Sequence, residues 1–427
     1  MTGTNPPAAA VSADDAHLDG VDLRVLAQRL GTPLHVYSAS AIRQRIHALQ
    51  TAVHGLGTLI CYAVKANANL AVLELMADAG LGADIVSVGE LRRSLLAGIP
   101  ASRIVFSGVA KTAGEIADAL ATGIRRFNVE SKDELNLLQR VAAARNVIAR
   151  ASVRVNPDVD ALTHAKISTG KSENKFGVGI EEAREWFADN AQRPHVNLDG
   201  LHVHIGSQML SLDPIELALQ RVASFWRELT AAGHAIASID VGGGLGVCYR
   251  DGRDQPVSIQ DYADIIRKTL GGFGGHILLE PGRWLVAEAG GLLTRVLRIK
   301  QGRQRRFLVV DAAMTELLRP SLYDAWHDIV PISRRLQPPQ LYDVVGPVCE
   351  SSDTFAVDRL LSPCEPDDLL MIRTTGAYGA AMASNYNSRP LAAEVLLDRG
   401  RYAVVRRRQT FEEMMAGEQP AGHWDTA

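Results

Sequence analysis

One alternation constrains this chain more than any other feature. Short β-branched runs recur eight times, separated by segments with 3.6-residue periodicity. The runs are 59–65 (LICYAVK), 83–88 (ADIVSV), 103–108 (RIVFSG), 127–130 (FNVE), 151–156 (ASVRVN), 201–206 (LHVHIG), 238–242 (SIDVG) and 276–280 (HILLE). The helical segments are 70–79, 90–97, 113–122, 132–145, 181–190, 214–232 and 259–270, by apolar spacing. Asp213 ahead of Pro214, and Ser258 ahead of an amphipathic run, mark helix starts. Near-continuous apolar strands alternating with helices predict a parallel sheet covered on both faces. Eight of them in about 230 residues match a closed (β/α)8 barrel of the α/β class. A doubly wound open sheet is the alternative.

Beyond Arg283 the pattern changes. FLVVDA, YDVVG, DLLMI and RYAVVRR are strand-like with few helices between them. The expected division is a disordered tail over 1–20, a barrel over 45–285, and a second, mainly β domain made of 21–44 and 286–427. With 427 residues and a formal net charge of −3, neither a dominant nucleic-acid surface nor a polybasic membrane patch is expected. No apolar run approaches a membrane span. The opening MTGTNPPAAA does not read as a secretion signal. Cys61, Cys248, Cys349 and Cys364 show no C-x-x-C spacing, so neither a zinc site nor a disulfide framework is expected, and a reducing, cytoplasmic address fits.

In such barrels the loops after the strands form the active face, and polar residues collect there. Lys65 ends the first run. Taken singly it reads as a snorkelling surface residue, but apolar residues precede it and a partly buried lysine makes a good Schiff-base nucleophile. Gly242, Gly243 and Gly244 after the seventh run are either a tight turn or a phosphate cradle, since bare backbone N–H groups approach an anion closely. They are not a dinucleotide fingerprint, because the third required glycine is Val247; TGKS at 169–172 fails as a P-loop because Ala165 stands at the upstream glycine. His202 and His204 lie two apart. They could ligate a metal, yet no further ligand cluster is visible in the sequence, and one of them lying flat on a planar ring is the better reading. Glu280 is either a rim ion pair with Arg283 or a carboxylate facing a heteroaromatic nitrogen, which it would keep protonated. An amine, a phosphate cradle, a stacking ring and a carboxylate on one barrel face converge on pyridoxal 5′-phosphate, with no metal.

The residues are also recognisable. YAVKAN, GADIVSVGEL, FSGVAKT, RVNPDVDA, GLHVHIGSQ, DVGGGLG, EPGR, LRPSLYDAWH, GPVCESSDTF and GAYGAAMASNYNSRP resemble the diaminopimelate decarboxylases, in that family's order over roughly 20–415. The resemblance implies a pyridoxal-phosphate barrel with a β domain, and a homodimer with shared active sites. It also implies a small amino-acid substrate: decarboxylation of meso-2,6-diaminopimelate to L-lysine and CO2. By resemblance Lys65 is the Schiff-base lysine, His204 the stacked ring and Glu280 the partner of the pyridine nitrogen. Ser207, Gly242, Gly243, Gly244, Pro281, Gly282, Arg283 and Tyr378 are phosphate or cofactor contacts, and Asp84, Glu90 and Arg154 line the cofactor. Cys349 resembles the proton donor, which in the family reaches in from the partner subunit together with the match to Glu350. Arg283, Arg319, Tyr323, Glu350 and Tyr378 resemble substrate contacts. Departures are small: MTEL for MNDL, Trp326 where Tyr is frequent, Cys248 for a common Pro. Rivals are a decarboxylase of the same fold acting on ornithine, lysine or another diamino acid, an amino-acid racemase, a non-catalytic carrier of the cofactor, and a metal-dependent barrel hydrolase.

Overall fold

The computed structural model describes residues 16–160, 175–333, 335–422 and 424. The segment 1–15 and the TGKS stretch at 169–172 lie outside the described residues. The chain forms two compact units, one of Ala39–Ala289 and one running up to Ser38 and from Gly290 onward.

The first unit is built on eight parallel strands: β1 (Thr58–Ala63), β2 (Gly82–Ile85), β3 (Ile104–Phe106), β4 (Arg126–Val129), β5 (Ala149–Asn156), β6 (Val196–His202), β7 (Ser238–Asp240) and β8 (His276–Leu279). Each pairs with the next, β8 pairs with β1, and β5 pairs with β6 across a register shift at Leu198/Gly200. The ring therefore closes, and the open-sheet alternative is excluded. Burial on both faces explains the unbroken apolar runs: seven of the eight β5 residues are buried. Cys61, Val105 and Leu278 form a cluster inside the ring, fully removed from water.

Connecting helices start where short polar side chains satisfy the first N–H groups. Ser87 Oγ accepts from Glu90 N, Ser131 Oγ from Glu134 N, and Thr112 with Glu115 forms a reciprocal box. Ser258 caps as expected, taking Gln260 N and Asp261 N. Asp213 does not cap: it lies inside the helix Asp213–Ala231, with Leu212 at the cap position. Its own N–H donates to Ser211 Oγ.

The second unit centres on the long strand Gly290–Gln301, which pairs antiparallel with Leu34–Ser38, Arg306–Val310 and Leu369–Arg373. Leu34–Ser38 also pairs in parallel with Ala393–Asp398. Two apolar clusters fill it, one around Leu292, Val310 and Val344 and one around Leu23, Leu34 and Val395. Residues 16–20, assigned to a disordered tail from composition, are ordered here. Ala16, Leu18 and Val21 are buried in the second cluster, and His17–Leu18 pairs with Val21–Asp22. Residues 39–44 open the helix Ala39–Ala52 and belong to the barrel unit.

Candidate active site

Lys65 sits in a single 3-10 turn immediately after β1. Its side chain is 40% exposed and its Nζ lies 3.0 Å from Asp84 Oδ2 on β2. It is less buried than its apolar neighbours suggest, because the turn lifts it out of the ring. Asp84 is wholly buried, and burial together with Glu280 raises its carboxyl above the ordinary range. Glu90, in the first turn of the helix Val88–Leu96, accepts from Val86 N at 2.7 Å. Burial pushes it up to about 7, against the lowering effect of that N–H.

Glu280, just beyond β8, turns into the barrel. Its Oε2 lies 3.2 Å from His202 Nε2, and its Oε1 accepts from Asn128 Nδ2 at 3.1 Å and Ser107 Oγ at 3.3 Å. Burial works against its charge, but His202 and Lys65 prevail and hold it below the usual carboxylate range. Asp240, at the end of β7, moves the opposite way: burial and then Glu280 push it well up. Two buried carboxyls this close cannot both ionise readily, so the proton resides on Asp240.

The glycine triplet does something other than present three bare N–H groups. Gly242 N donates to Asp240 Oδ1 at 2.9 Å, and Gly243 N donates to His204 Nδ1 at 3.2 Å. A Cβ on Gly243 would stand 2.1 Å from Glu280 O, and one on Gly244, whose φ is +107°, would stand 2.3 Å from Gly206 O. Glycine is therefore needed so that the loops after β6, β7 and β8 can meet. The bond from Gly243 makes Nδ1 of His204 an acceptor, which fixes the ring and leaves its proton on Nε2. Burial, then Arg154, keeps His204 well below the ordinary imidazole range, hence neutral. Arg154 is held by Glu130 at 3.1 Å and donates to His204 O at 3.2 Å, so it supports the histidine loop.

Arg283 opens the short helix Arg283–Val286 and is buried. It donates to Ser207 Oγ at 3.0 Å and to Tyr249 OH at 2.6 Å. Pro281 O accepts from Ala63 N, and Gly282 packs where a Cβ would press on Ala63 and Ala66, so the loop after β8 lies against the turn carrying Lys65. Within the barrel unit, then, Lys65, Asp84, Glu90, Arg154, His204, Ser207, the glycines, Glu280, Pro281, Gly282 and Arg283 occupy the ends of successive strands at one mouth.

The remaining candidates lie in the second unit. Arg319 begins the helix Arg319–Tyr323 and is buried, with Nη1 2.8 Å from His327 Nε2. Tyr323 ends that helix. Tyr378 sits in the loop after Leu369–Arg373 with φ +58°. Cys349 and Glu350 are exposed, which argues against a packing role for the cysteine. Cys349 N donates to Asn387 Oδ1 at 3.1 Å, and Glu350 accepts from Tyr386 OH at 2.7 Å. Their loop is shaped by Asp353, which accepts from Val348 N at 2.7 Å and Met314 N at 2.6 Å.

Sequence reasoning missed Asn128, Asp240 and Tyr249, and it saw no carboxylate cluster near His202. The structure brings His202, Asp240 and Glu280 within 4.8 Å of one another. The available signal was a polar residue at an inward position of an apolar strand, as with Asn128 in RFNV and Asp240 in SID.

Among the described residues no helix is long and apolar enough to cross a membrane. Residues 39–287 match the family model for the pyridoxal-binding domain of pyridoxal-dependent decarboxylases. The chain is 46% identical to the diaminopimelate decarboxylase of Zymomonas mobilis over 405 residues, covering 94% of this chain and 96% of the relative. It is 49% identical to that of Pseudomonas aeruginosa, covering 95% and 97%. Among solved structures it is similar to Helicobacter pylori diaminopimelate decarboxylase complexed with L-lysine, at TM-score 0.89 and 45% identity, covering 92% of this chain and 98% of that one. A pyridoxal-binding barrel matched over its whole length, and relatives matched nearly end to end, place this chain in the diaminopimelate decarboxylase family of pyridoxal-dependent decarboxylases.

Proposed function

We propose that this chain decarboxylates meso-2,6-diaminopimelate to L-lysine and CO2 with pyridoxal 5′-phosphate. It acts in the cytoplasm, as a homodimer with shared active sites. The observation that carries the reading is one barrel mouth holding, on successive strand ends, an amine beside a buried carboxyl (Lys65, Asp84), a fixed neutral imidazole (His204), an ionised carboxylate (Glu280) and a buried guanidinium among hydroxyls (Arg283, Ser207, Tyr249).

That donor set fits the cofactor group by group. Lys65 suits its aldehyde, Glu280 its ring nitrogen and His204 its flat face. Arg283 and Ser207, with Gly244 of the triplet, suit its phosphate. Asp84 Oδ2 is placed to take a proton from Lys65 Nζ, and its raised carboxyl makes it a competent acceptor. Once bound, the cofactor supplies an electron sink for the pair left behind when CO2 departs. Glu280 holds a negative charge where the ring nitrogen carries its proton. Cys349 from the partner subunit returns a proton to the substrate carbon: a thiol is compact, and its exposure leaves it accessible.

Substrate choice follows from charge. Diaminopimelate has an amino-acid head at each end, so its non-reacting end needs a cation for the carboxylate and an anion for the ammonium. Arg319, with Tyr323, is suited to the carboxylate through a bidentate grip, and Glu350 to the ammonium. Ornithine and lysine lack that second carboxylate. The test is a panel of meso-diaminopimelate, ornithine and lysine assayed for CO2 and product. Lysine released in step with CO2, from diaminopimelate alone, supports the reading. Faster turnover of ornithine or lysine overturns it.

A further inference from the structure

Glu280 turns into the barrel, and its inner side is closed by a network that the reaction as described does not use. His202, 1% exposed, ends β6 and places Nε2 3.2 Å from Glu280 Oε2. Asn128 from β4 donates to Glu280 Oε1 at 3.1 Å and lies 3.4 Å from Asp240 Oδ2. Ser107 from β3 donates to Oε1 as well. Asp240 is itself pinned by Gly242 N. On the Oε2 side stands His202. Nδ1 of His202 has no partner among the described residues, so the ring makes a single hydrogen bond, and it is spent on Glu280. A core histidine kept for packing alone has no reason to lie among two carboxyls in an otherwise apolar strand end, where an unsatisfied polar group is costly.

We propose that His202 is a positioning residue for the decarboxylation: donating from Nε2, it fixes the rotamer of Glu280 and keeps that carboxylate ionised, with Asp240 and Asn128 closing the same network. The inference rests on the reading of Glu280 as the partner of the cofactor's ring nitrogen and deepens it. Burial alone would neutralise a carboxyl here; donors on both oxygens reverse that. Glu280 raises the proton affinity of His202 against the effect of burial, and either the neutral Nε2–H tautomer or the imidazolium donates to it. The other titratable groups around the pair are Lys65 and Cys61 from the first strand and turn, Asp84 from β2, Arg154 from β5, His204 after β6, Asp240 from β7 and Tyr262 from the helix Ile259–Leu270. Of these, Lys65 favours charge on Glu280 from the barrel mouth, and His202 favours it from inside the ring through a direct hydrogen bond.

The experiment reads the cofactor's ring nitrogen directly. Holoenzyme loaded with pyridoxal 5′-phosphate labelled with 15N at the ring is followed by NMR across neutral and alkaline pH. Wild type, His202→Leu, His202→Asn, His202→Gln and Glu280→Gln are compared, with thermal melts reporting folding. In wild type the signal stays that of a protonated nitrogen. His202→Leu should lose that proton at a pH lower by about one unit or more. His202→Asn, too short to reach Glu280, should do the same and replaces the leucine variant if that one fails to fold. His202→Gln, which keeps an N–H donor at a similar reach, should restore the wild-type titration. If Glu280→Gln shifts the signal while both donor-deficient His202 variants match wild type, the proposal is wrong and the reading of Glu280 stands. If Glu280→Gln also matches wild type, the reading of Glu280 fails and the proposal fails with it.

Discussion

The amine of Lys65 is a nucleophile only after it loses a proton, and Asp84 Oδ2 stands 3.0 Å away to take it. Lys65→Ala should therefore give a colourless protein with no decarboxylase activity. Asp84→Asn should remain able to bind the cofactor but load it about ten- to a hundredfold more slowly, read as the growth of the visible band; unchanged loading would remove Asp84 from the role of acceptor. Cys349→Ala should keep the cofactor and lose about 10²–10⁴-fold in turnover. Retention of full turnover would take the thiol out of the proton path. Arg319→Ala should raise KM for diaminopimelate about ten- to a hundredfold, the worth of one charge-assisted grip, with far less effect on any turnover of lysine. Equal loss on both would mean that Arg319 does not read the distal carboxylate. Residues of this kind were legible because their chemistry is uncommon at strand ends: Lys65, His204, Glu280 and Arg283 each interrupt an apolar or glycine-rich run. Asn128 and Asp240 were not, because a polar residue within a three- or four-residue strand looks the same whether it packs, caps or carries charge.

Among the elements, seven of the eight barrel strands end earlier than their sequence reading, and the fifth ends where expected. The sixth run was read as 201–206, whereas β6 is Val196–His202, and the seventh and eighth end at Asp240 and Leu279 rather than at 242 and 280. Ladder pairing stops where the chain bends away to carry a functional side chain, and hydropathy does not register that bend. The glycine triplet was legible as a site of close approach, but its partners were not: the close approach is mainly to Glu280 O and Gly206 O of neighbouring loops. The strand Leu34–Ser38 supplies a pH test of its own. His35 is fully buried there with neither ring nitrogen hydrogen-bonded among the described residues, and burial, then Arg406, lowers its pKa from 6.5 to about 3. Between those values the unfolded chain holds a proton that the folded chain lacks. Stability should thus be flat above pH 6.5 and fall as the pH drops toward 3, by on the order of 4 kcal/mol. His35→Leu should flatten that acid limb in equilibrium unfolding followed by circular dichroism; an unchanged limb would mean that His35 does not drive it.

At the scale of the whole molecule, periodicity gave the closed barrel, because strand count and burial on both faces leave few alternatives. It did not give the order of the second unit's sheet. There Leu34–Ser38 joins strands more than 250 residues later, and nothing local in a five-residue strand names so distant a partner. The proposed homodimer with shared active sites makes a quantitative expectation. If Lys65 and Cys349 serve one site from different subunits, mixing inactive Lys65→Ala with impaired Cys349→Ala and letting subunits exchange should restore about a quarter of wild-type activity. Half the dimers are then mixed, and each mixed dimer holds one intact site of two. Activity no greater than the sum of the separate variants would contradict shared sites. Every proposed step depends on Lys65 capturing the cofactor's aldehyde. Borohydride reduction of the cofactor-loaded enzyme followed by peptide mass spectrometry tests this directly. A pyridoxyl-phosphate mass increment on the peptide containing Lys65 is the expected result; an increment on another lysine, or on none, would contradict it.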